Sequence, residues 1–231
     1  MKNQRSTTNS CLLLLLILIT IIYGCKKEDP SDETVKDIDG NVYNIITIGT
    51  QQWMGANLKV TKYTNGDEIG TTNPLTLDIT NENAPAYCWN YEGSESNADT
   101  YGRLYTWYAV VDNRGLCPTG WHIPSDLEWA TLIDYLGGPE VAGCKLKESG
   151  TDHWYSPNAG ATNESGFTGL PAGARMMTGE FDYLSLATLW WTSTEENPSD
   201  ARLRCVNFDV CEVFGIYGDK KFGFSVRCVK N

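Results

Sequence analysis

The 231-residue sequence predicts a single α+β domain with few helices, antiparallel strands, long loops and disulfide bonds. One helix start is well marked, at Ser125, and apolar residues follow it with helical spacing. Beyond residue 188, apolar and polar residues alternate in short runs, as expected of antiparallel strands. Stretches rich in glycine, asparagine and threonine separate these elements, and six cysteines between Cys88 and Cys228 can form disulfides.

The first residues carry the features of an export signal, which is set apart from the folded domain. Lys2 and Arg5 precede an apolar stretch over residues 12–22, and Gly24-Cys25 follows it. A small residue directly before a cysteine predicts a lipoprotein signal peptide over 1–24, with Cys25 acylated through its thiol. An ordinary secretory signal and an uncleaved anchor helix are the alternatives. The apolar stretch is shorter than the roughly 20 residues of a membrane span.

Residues 25–36 are charged, contain a proline and lack aromatic residues, so we expect a disordered tether. The lysines and acidic residues directly behind Cys25 resemble the surface-export signal of Bacteroidota-type lipoproteins, and a plain soluble linker is the alternative. We therefore expect an outer-membrane lipoprotein that is exposed on the cell surface and held to the membrane by its lipid.

The charge of the chain argues against one class of partner. Its formal net charge is −11, and removal of residues 1–24 would take away two basic residues and no acidic one. Nucleic-acid binding depends on lysines and arginines that neutralise phosphates, so we expect no nucleic-acid partner. The remaining residues, 37–231, are enough to bury one core and predict a single domain.

The first half of this domain is predicted to contain short strands, loops and one helix. Residues 37–62 indicate strand, turn and strand, with β-rich residues from Val42 to Ile48. Residues 63–98 have a loop composition, interrupted by a short aromatic strand over 86–91. Apolar residues spaced by three and four predict a helix from Leu104 to Val111.

The second half begins with the clearest helix. Ser125 and Glu128 form a predicted capping box, and an apolar stripe follows until Gly137-Gly138-Pro139 ends the helix. From residue 142 to residue 183 the composition predicts long loops with little regular structure. The chain then returns to predicted strands over 189–194, 202–208, 211–216 and 222–229.

Six cysteines remain once Cys11 leaves with the signal and Cys25 is lipidated, and in an exported chain they predict disulfides. A pairing of Cys117 with Cys228 would close a loop of about 110 residues, which the chain-entropy account values at about 4–5 kcal/mol. That bridge would tie the two ends of the domain together.

Two further pairings are predicted for the other four cysteines. Cys205 and Cys211 would lie opposite each other across a hairpin if a three-residue turn occupied 207–209. Cys88 and Cys144 would then pair by elimination. The sequence contains no CxxC pair, so we do not expect these cysteines to hold a metal.

No combination of residues predicts catalysis. His122 and His153 are far apart in the sequence and belong to no local catalytic signature, so we expect no enzyme, metal or cofactor. The eight tryptophans and twelve tyrosines are more informative, since exposed aromatic rings stack on sugar faces; most are expected in the core. Five in loop-rich stretches are the predicted ligand contacts: Trp89, Tyr91, Trp154, Tyr155 and Tyr183.

Ordered motifs along the chain resemble a known family. They are Asp39 to Tyr43, Gln52-Trp53-Met54, Asn57-Leu58, Tyr101 to Trp107, Cys117 to Trp129, Gly166-Phe167, Trp190 to Glu195 and Gly223 to Cys228. Over residues 37–231 the chain resembles the Fibrobacter succinogenes major paralogous domain family. The resemblance implies an exported or surface lipoprotein whose fold is related to the C-type lectin-like and formylglycine-generating-enzyme folds. The lectin-like comparison further implies that Cys117 pairs with Cys228 and that a second bridge links late strands, as Cys205–Cys211 would.

The functional sites of those related folds do not carry over. The calcium-dependent sugar site is not expected, because Glu196-Asn197-Pro198 has a changed order and Asn207-Phe208-Asp209 lacks adjacent asparagine and aspartate. The enzyme branch uses two reactive cysteines near its C-terminus. Cys205 and Cys211 are spaced one residue further apart than that pair and lack its surrounding arginines and tyrosines.

We therefore expect a surface-anchored, non-catalytic module that binds glycans or polysaccharides. A protein-binding adhesin or a structural surface protein is the alternative, and a flat apolar patch in place of a groove lined by aromatic residues would indicate it. A cysteine oxidase of the formylglycine-generating kind is the remaining hypothesis. It requires Cys205 and Cys211 to be reducible and accessible to solvent.

Overall fold

A computed structural model describes residues 33–231 of the chain. The predicted signal peptide over 1–24, the lipidation site Cys25 and residues 26–32 lie outside the described residues. The predicted tether ends before residue 36, because Thr34–Lys36 pairs as an antiparallel strand with residues 42–44. In the part of the chain that the structure describes, no helix is both long and apolar enough to cross a membrane.

The architecture is mostly β, with largely antiparallel sheets, few helices and two disulfides. Its elements are, in chain order, β1 (Thr34–Lys36), β2 (Val42–Ile48), β3 (Gln51–Met54), β4 (Cys88–Trp89), α1 (Glu95–Tyr101), β5 (Leu104–Tyr105), α2 (Trp107–Val110), β6 (Trp121–His122), α3 (Asp126–Tyr135), α4 (Pro139–Leu146), β7 (Ala172–Arg175), β8 (Phe181–Leu184), β9 (Ala187–Glu195), β10 (Asp200–Asn207), β11 (Val213–Asp219) and β12 (Val229–Lys230).

Two five-stranded sheets organise these elements. The first has the order β1-β2-β3-β12-β6, so its C-terminal strand lies between two strands from the first half of the domain. The second has the order β11-β10-β9-β7-β8 and is antiparallel except where β7 meets β9. Strands β4 and β5 form a separate two-stranded ladder.

A disulfide ties the middle of the described chain to its C-terminal end. Cys117 and Cys228 form this bond across 111 residues of sequence, with their Cα atoms 6.0 Å apart, which confirms the predicted pairing. The bridge joins the segment before β6 to the segment before β12, and these two strands are themselves neighbours. The disulfide therefore reinforces the pairing of β6 with β12.

The helix predicted from Ser125 is present as α3, and its first turn has the predicted capping box. The Ser125 amide donates a 2.8 Å hydrogen bond to the Glu128 carboxylate, and the Glu128 amide donates to Ser125 Oγ. Trp129, Leu132 and Ile133 are buried, so the apolar stripe faces the core. Local sequence and tertiary packing agree along this helix.

The helix predicted from Leu104 to Val111 is wrong in its first half. Leu104 and Tyr105 pair with β4 as a strand, and helix is found only over 107–110. Most residues of this segment are buried, so apolar side chains occur at nearly every position. Some of them therefore match helical spacing although the first residues form a strand.

Two other stretches differ from the sequence prediction. The region predicted as loop over 142–183 contains most of α4 together with β7 and β8. Gly137-Gly138-Pro139 ends α3 as predicted, but Pro139 also begins α4 at its first turn, where proline is tolerated. The strand predicted over 222–229 is mainly irregular, because single bridges connect it to three different segments.

All eight tryptophans of the chain are buried, together with just under half of the other large apolar side chains among residues 33–231. One cluster packs around Trp191 between the second sheet, β4–β5 and the Cys117–Cys228 bridge. Another gathers α3, α4 and the opposite face of β9 around Trp129 and Trp190, whose ring centroids are 5.4 Å apart. The aromatic content of this chain is therefore largely a core feature.

Buried cations hold the long loops against these clusters. The Arg175 guanidinium donates to the carbonyls of Leu75 and Leu77, at 2.8 and 2.7 Å. The Lys220 ammonium donates to the carbonyls of Asn197 and Pro198. A buried loop carbonyl left without a donor is costly, so such side chains let irregular segments pack as tightly as regular ones.

Candidate ligand-binding site

A disulfide between Cys144 and Cys211 joins α4 to the turn between β10 and β11, with the Cα atoms 4.6 Å apart. Gly160, in the loop after α4, lies directly on it. A Cβ atom at Gly160 would come within 2.6 Å of Cys144 Sγ and 2.8 Å of Cys211 Sγ, and the glycine has a φ of +62°. This loop is therefore fixed to the bridge at a position that favours glycine.

The bridge corrects both remaining predicted pairings, Cys205–Cys211 and Cys88–Cys144. Cys205 lies opposite Phe214 in the β10–β11 ladder, whereas Cys211 falls in the turn, so the hairpin register keeps them apart. Cys88 and Cys205 are buried and unpaired within residues 33–231. Desolvation raises the pKa of each thiol to about 12, so both stay protonated at neutral pH.

Lys147, directly after α4, fixes two loops at one point. Its side chain is fully buried, and its ammonium donates to the carbonyls of Ala159, Asn207 and Val210 at 3.1, 3.0 and 2.9 Å. An ammonium has three donors, so this set uses all of them. Desolvation lowers the pKa of Lys147 to about 8, and the negative charge of Asp209 partly offsets that effect.

Backbone hydrogen bonds connect these loops to a third one. The Tyr155 amide donates to the Ser185 carbonyl at 2.8 Å, which joins the loop after α4 to the β8–β9 turn. The Phe208 amide donates to the Leu186 carbonyl at 2.9 Å, which joins the β10–β11 turn to the same β8–β9 turn. Three loops that are distant in sequence therefore form one braced layer.

Tyr155 presents its ring on this layer and is 60 % exposed. The ring rests edge to face on Phe208, with centroids 5.4 Å apart and an angle of 87° between the planes. One edge of the tyrosine is thus supported by the protein while much of the side chain remains open to solvent.

Tyr183 presents a second ring and is 44 % exposed. Its φ of +64° and the φ of +66° at Ser185 are unusual for residues other than glycine. Such conformations persist where surrounding contacts enforce them, and here the Ser185 amide and carbonyl are bonded to Pro171 and Tyr155. The position of Tyr183 is therefore imposed by the fold.

Two exposed carboxylates are sequence neighbours of Tyr183 and Phe208. Asp182 precedes Tyr183 and accepts a 2.7 Å hydrogen bond from its amide, and Asp209 follows Phe208. We call this group the tyrosine surface; its members are Tyr155, Asp182, Tyr183, Phe208 and Asp209. It offers two aromatic faces and carboxylate acceptors on a rigid base.

Three of the five predicted ligand contacts are not on this surface. Trp89 and Trp154 are core residues whose indoles donate to Thr72 Oγ1 and to the Gly169 carbonyl, at 2.9 and 3.0 Å. Tyr91 is also buried, with its ring 5.2 Å from that of Phe181. The composition of the loops suggested exposure, but these loops are packed, so their largest side chains point inward.

Other residues of the site were missed from the sequence. Lys147 follows a helix whose existence the sequence did not predict, and no local pattern distinguishes it from a surface lysine. Asp182 is a single acid in β8, and Asp209 is a single acid in the β10–β11 turn. Phe208 was assigned to a strand, and only the position of Tyr155 in space reveals its role as a support.

A separate groove of about 430 Å³ lies beside the Cys117–Cys228 bridge, and its lining includes Trp121, His122 and Ser193. Both ring nitrogens of its histidine already have partners. His122 makes 2.7 Å hydrogen bonds to Glu128 and to Asn231, and Glu128 also caps α3. The groove therefore offers a ligand no free nitrogen of His122.

His153, the other histidine, pairs with Glu148 at 2.9 Å and does not line this groove. Within residues 33–231, no three or more histidine, cysteine, aspartate or glutamate side chains are grouped so that they could hold a metal ion. Glu196-Asn197-Pro198 forms part of the loop that Lys220 secures through its backbone.

Comparison with known proteins identifies one family. The sequence model described as Fibrobacter succinogenes major domain matches residues 46–230. No curated protein and no solved structure matches the chain.

Proposed function

Because the chain belongs to the Fibrobacter succinogenes major domain family, which spans nearly the whole described domain, we propose that it is a surface-anchored, non-catalytic lipoprotein that binds glycans or polysaccharides through the tyrosine surface. We also propose that its fold is of the C-type lectin-like kind. The Cys117–Cys228 bridge, the capped helix α3 and the C-terminal strand between β3 and β6 support it.

One observation carries the binding proposal: Tyr155 and Tyr183 are exposed on backbone segments that a hydrogen bond joins. Sugar rings present C–H faces that pack on aromatic rings and hydroxyls that donate to carboxylates. Asp182 and Asp209 supply such acceptors next to the rings. Because the loops are braced before ligand arrives, little ordering entropy is lost on binding.

The anchoring part of the proposal rests on the sequence before the described domain. Gly24-Cys25 after an apolar stretch supplies the lipidation signal, and the charged residues behind Cys25 are typical of surface export. The lipid then anchors the protein in the membrane, and the tyrosine surface is accessible to extracellular or cell-wall polysaccharide.

The cysteine arrangement supports a non-catalytic role. An oxidase would need Cys205 and Cys211 as an accessible pair, whereas Cys211 is bonded to Cys144 and Cys205 is buried. The high pKa of the Cys205 thiol also disfavours the reactive thiolate.

A binding experiment with matched variants tests the proposal. The full chain in detergent micelles is titrated with a panel of neutral and charged polysaccharides, with calcium and again with chelator. We expect saturable binding to one glycan class that chelator leaves unchanged. The double variant Tyr155→Ala/Tyr183→Ala should lose at least about tenfold in affinity, from two lost stacking contacts, with an unchanged melting temperature.

Tyr135→Ala is the matched control, because Tyr135 on α3 is exposed but lies outside the tyrosine surface. It should bind like wild type. Saturable binding that survives the double variant would place the site elsewhere. If no polysaccharide of the panel binds, the alternative function is favoured, a protein-binding adhesin or structural surface protein. The exposed edge strand β11 supports that alternative.

A further inference from the structure

Strand β11 is the one long edge strand among the described sheets. It has seven residues and pairs only with β10, so one side of its backbone has no strand partner. The other edges are short: β1 has three residues, β6 has two, and β8 has four and contains Tyr183 with its positive φ. Proteins commonly protect sheet edges by shortness, charge or irregular backbone. Strand β11 is long, and its one charge, Asp219, is at its last residue, so its centre lacks these protections.

The centre of β11 is open to solvent on both faces. Gly215, Ile216 and Tyr217 are consecutive exposed residues, with Ile216 and Tyr217 exposed by 43 % and 63 %. Side chains alternate between faces along a strand, so exposure of three in a row means that neither face nor the edge is covered there. The strand contains no lysine, arginine or proline.

The sequence of β11 is complementary to itself in the antiparallel direction. If Ile216 is placed opposite Ile216 of a second copy, Phe214 comes opposite Gly218 and Tyr217 comes opposite Gly215. Each aromatic residue thus faces a glycine, a combination in which the ring covers the backbone that glycine leaves bare. A two-fold axis makes each such contact twice.

Charge fits the same register. Arg204 lies opposite Gly215 in the β10–β11 ladder, and a Cβ atom at Gly215 would come within 2.2 Å of its Nη1, so the guanidinium occupies the space above this glycine. Tyr217 of the second copy would stand on the same face, beside that cation. At the strand ends, Asp219 comes opposite Val213. Glu212 comes opposite Lys220, whose ammonium is held by Glu195 and two carbonyls of its own chain, so no like charges are opposed.

We propose that β11 is a self-association edge, through which two copies of this chain pair in antiparallel register about Ile216 and join their second sheets into one of ten strands. A single strand pair is a small interface, so the dimer is weak and forms in proportion to protein concentration. The proposal is independent of the glycan site, because the residues of the tyrosine surface lie in β8 and in loops, outside β11.

Disulfide trapping tests the register. The full chain carrying Ile216→Cys is oxidised in detergent micelles and run on a non-reducing gel. The self-paired position brings its two copies within disulfide distance, and we expect a dimer band. Asp219→Cys, whose two copies would lie about 20 Å apart, and Tyr135→Cys on α3 should give no covalent dimer band, as should wild type. Dimer bands of equal intensity from all variants, or no dimer band from Ile216→Cys, would overturn the register.

Sedimentation of the same full chain tests the association itself. Wild type should show a concentration-dependent dimer. Ile216→Lys should raise the dimer dissociation constant by about tenfold or more, because two ammonium groups would face each other. Tyr135→Lys, an equally exposed substitution elsewhere, should not. A wild-type chain that stays monomeric at high concentration contradicts the proposal, as does a dimer that Ile216→Lys leaves intact.

Discussion

The ring of Tyr155 meets the ring of Phe208 edge to face, with centroids 5.4 Å apart, although the two residues lie on different loops. Phe208→Leu keeps an apolar side chain and removes this aromatic contact, so we expect a stability loss of about 1 kcal/mol. Glycan affinity should fall several-fold, because Tyr155 loses its support. Phe222→Leu removes a tilted ring contact with Phe224, 5.7 Å between centroids, outside the site. It should lower stability alone, as measured by urea unfolding and binding titration.

A second prediction concerns the ammonium of Lys147. Lys147→Met would leave three buried loop carbonyls without their donor, at a cost of at least about 3 kcal/mol in unfolding free energy. Lys145→Met removes a partly exposed lysine that is 3.8 Å from Glu164, and we expect a change of about 0.5 kcal/mol or less. Urea unfolding of both variants measures the difference. Equal stabilities would mean that water replaces the ammonium.

The lowered pKa of Lys147 predicts how stability depends on pH. In the folded chain this pKa is about 8, against an ordinary value of 10.5. Below about pH 8 both states hold the proton. Between there and about pH 10.5 the unfolded state holds it more often, so this residue makes stability rise with pH.

Tyrosines with raised pKa values, such as Tyr63 at about 12, act in the opposite direction above about pH 10. The test is therefore the difference between the unfolding free energies of wild type and Lys147→Met from pH 7 to pH 10. We expect wild type to gain relative to the variant across this range. If the difference in unfolding free energy does not change with pH, the pKa of Lys147 is the same in the folded and unfolded chain. The three carbonyls would then stabilise its charged form as well as water does.

How much of the structure followed from sequence depends on whether the signal was local. The capping box at Ser125 and the strands β2 and β3 were predicted correctly, because each depends on neighbouring residues. The exposed state of Tyr155 and Tyr183 was also predicted. Trp89 and Trp154 were misplaced, because their partners are distant in sequence: the Arg175 guanidinium lies 4.2 Å from the Trp89 ring centroid, and the Trp154 indole donates to the Gly169 carbonyl.

The disulfides show the same limit. The sequence placed Cys205 and Cys211 across a hairpin by assuming a short turn, and the actual turn runs from residue 208 to residue 212. That difference shifts the register and leaves Cys211 outside the ladder, where α4 brings Cys144 to it. Pairings between distant segments require the tertiary fold, which spacing alone does not supply.

Peptide mapping tests these pairings directly. We expect a peptide containing Cys144 linked to one containing Cys211, and another link between Cys117 and Cys228. Cys205 should react with an alkylating reagent only after unfolding, because it is buried and its pKa is raised. A Cys205–Cys211 link in the native chain would contradict the hairpin register.

The last prediction concerns Arg227, which is fully buried near the end of the chain. Its guanidinium donates to Asn57 Oδ1 at 2.9 and 3.1 Å, to the Phe167 carbonyl at 2.6 Å and to the Met54 carbonyl at 3.2 Å. Desolvation lowers its pKa to about 9, so the group is still charged at neutral pH. Several donors in one plane hold β3, the segment after it and the loop at Phe167 together.

Arg227→Lys keeps the charge and loses this fork, since an ammonium cannot reach acceptors arranged in several directions around a plane. At least one of the carbonyl and amide oxygens would be left unsatisfied, so we expect a loss of about 2–4 kcal/mol in unfolding free energy. Arg202→Lys, at a partly exposed arginine paired with Glu196, should change stability by about 0.5 kcal/mol or less. Similar losses for the two variants would show that the charge of Arg227, and not its geometry, holds these three segments.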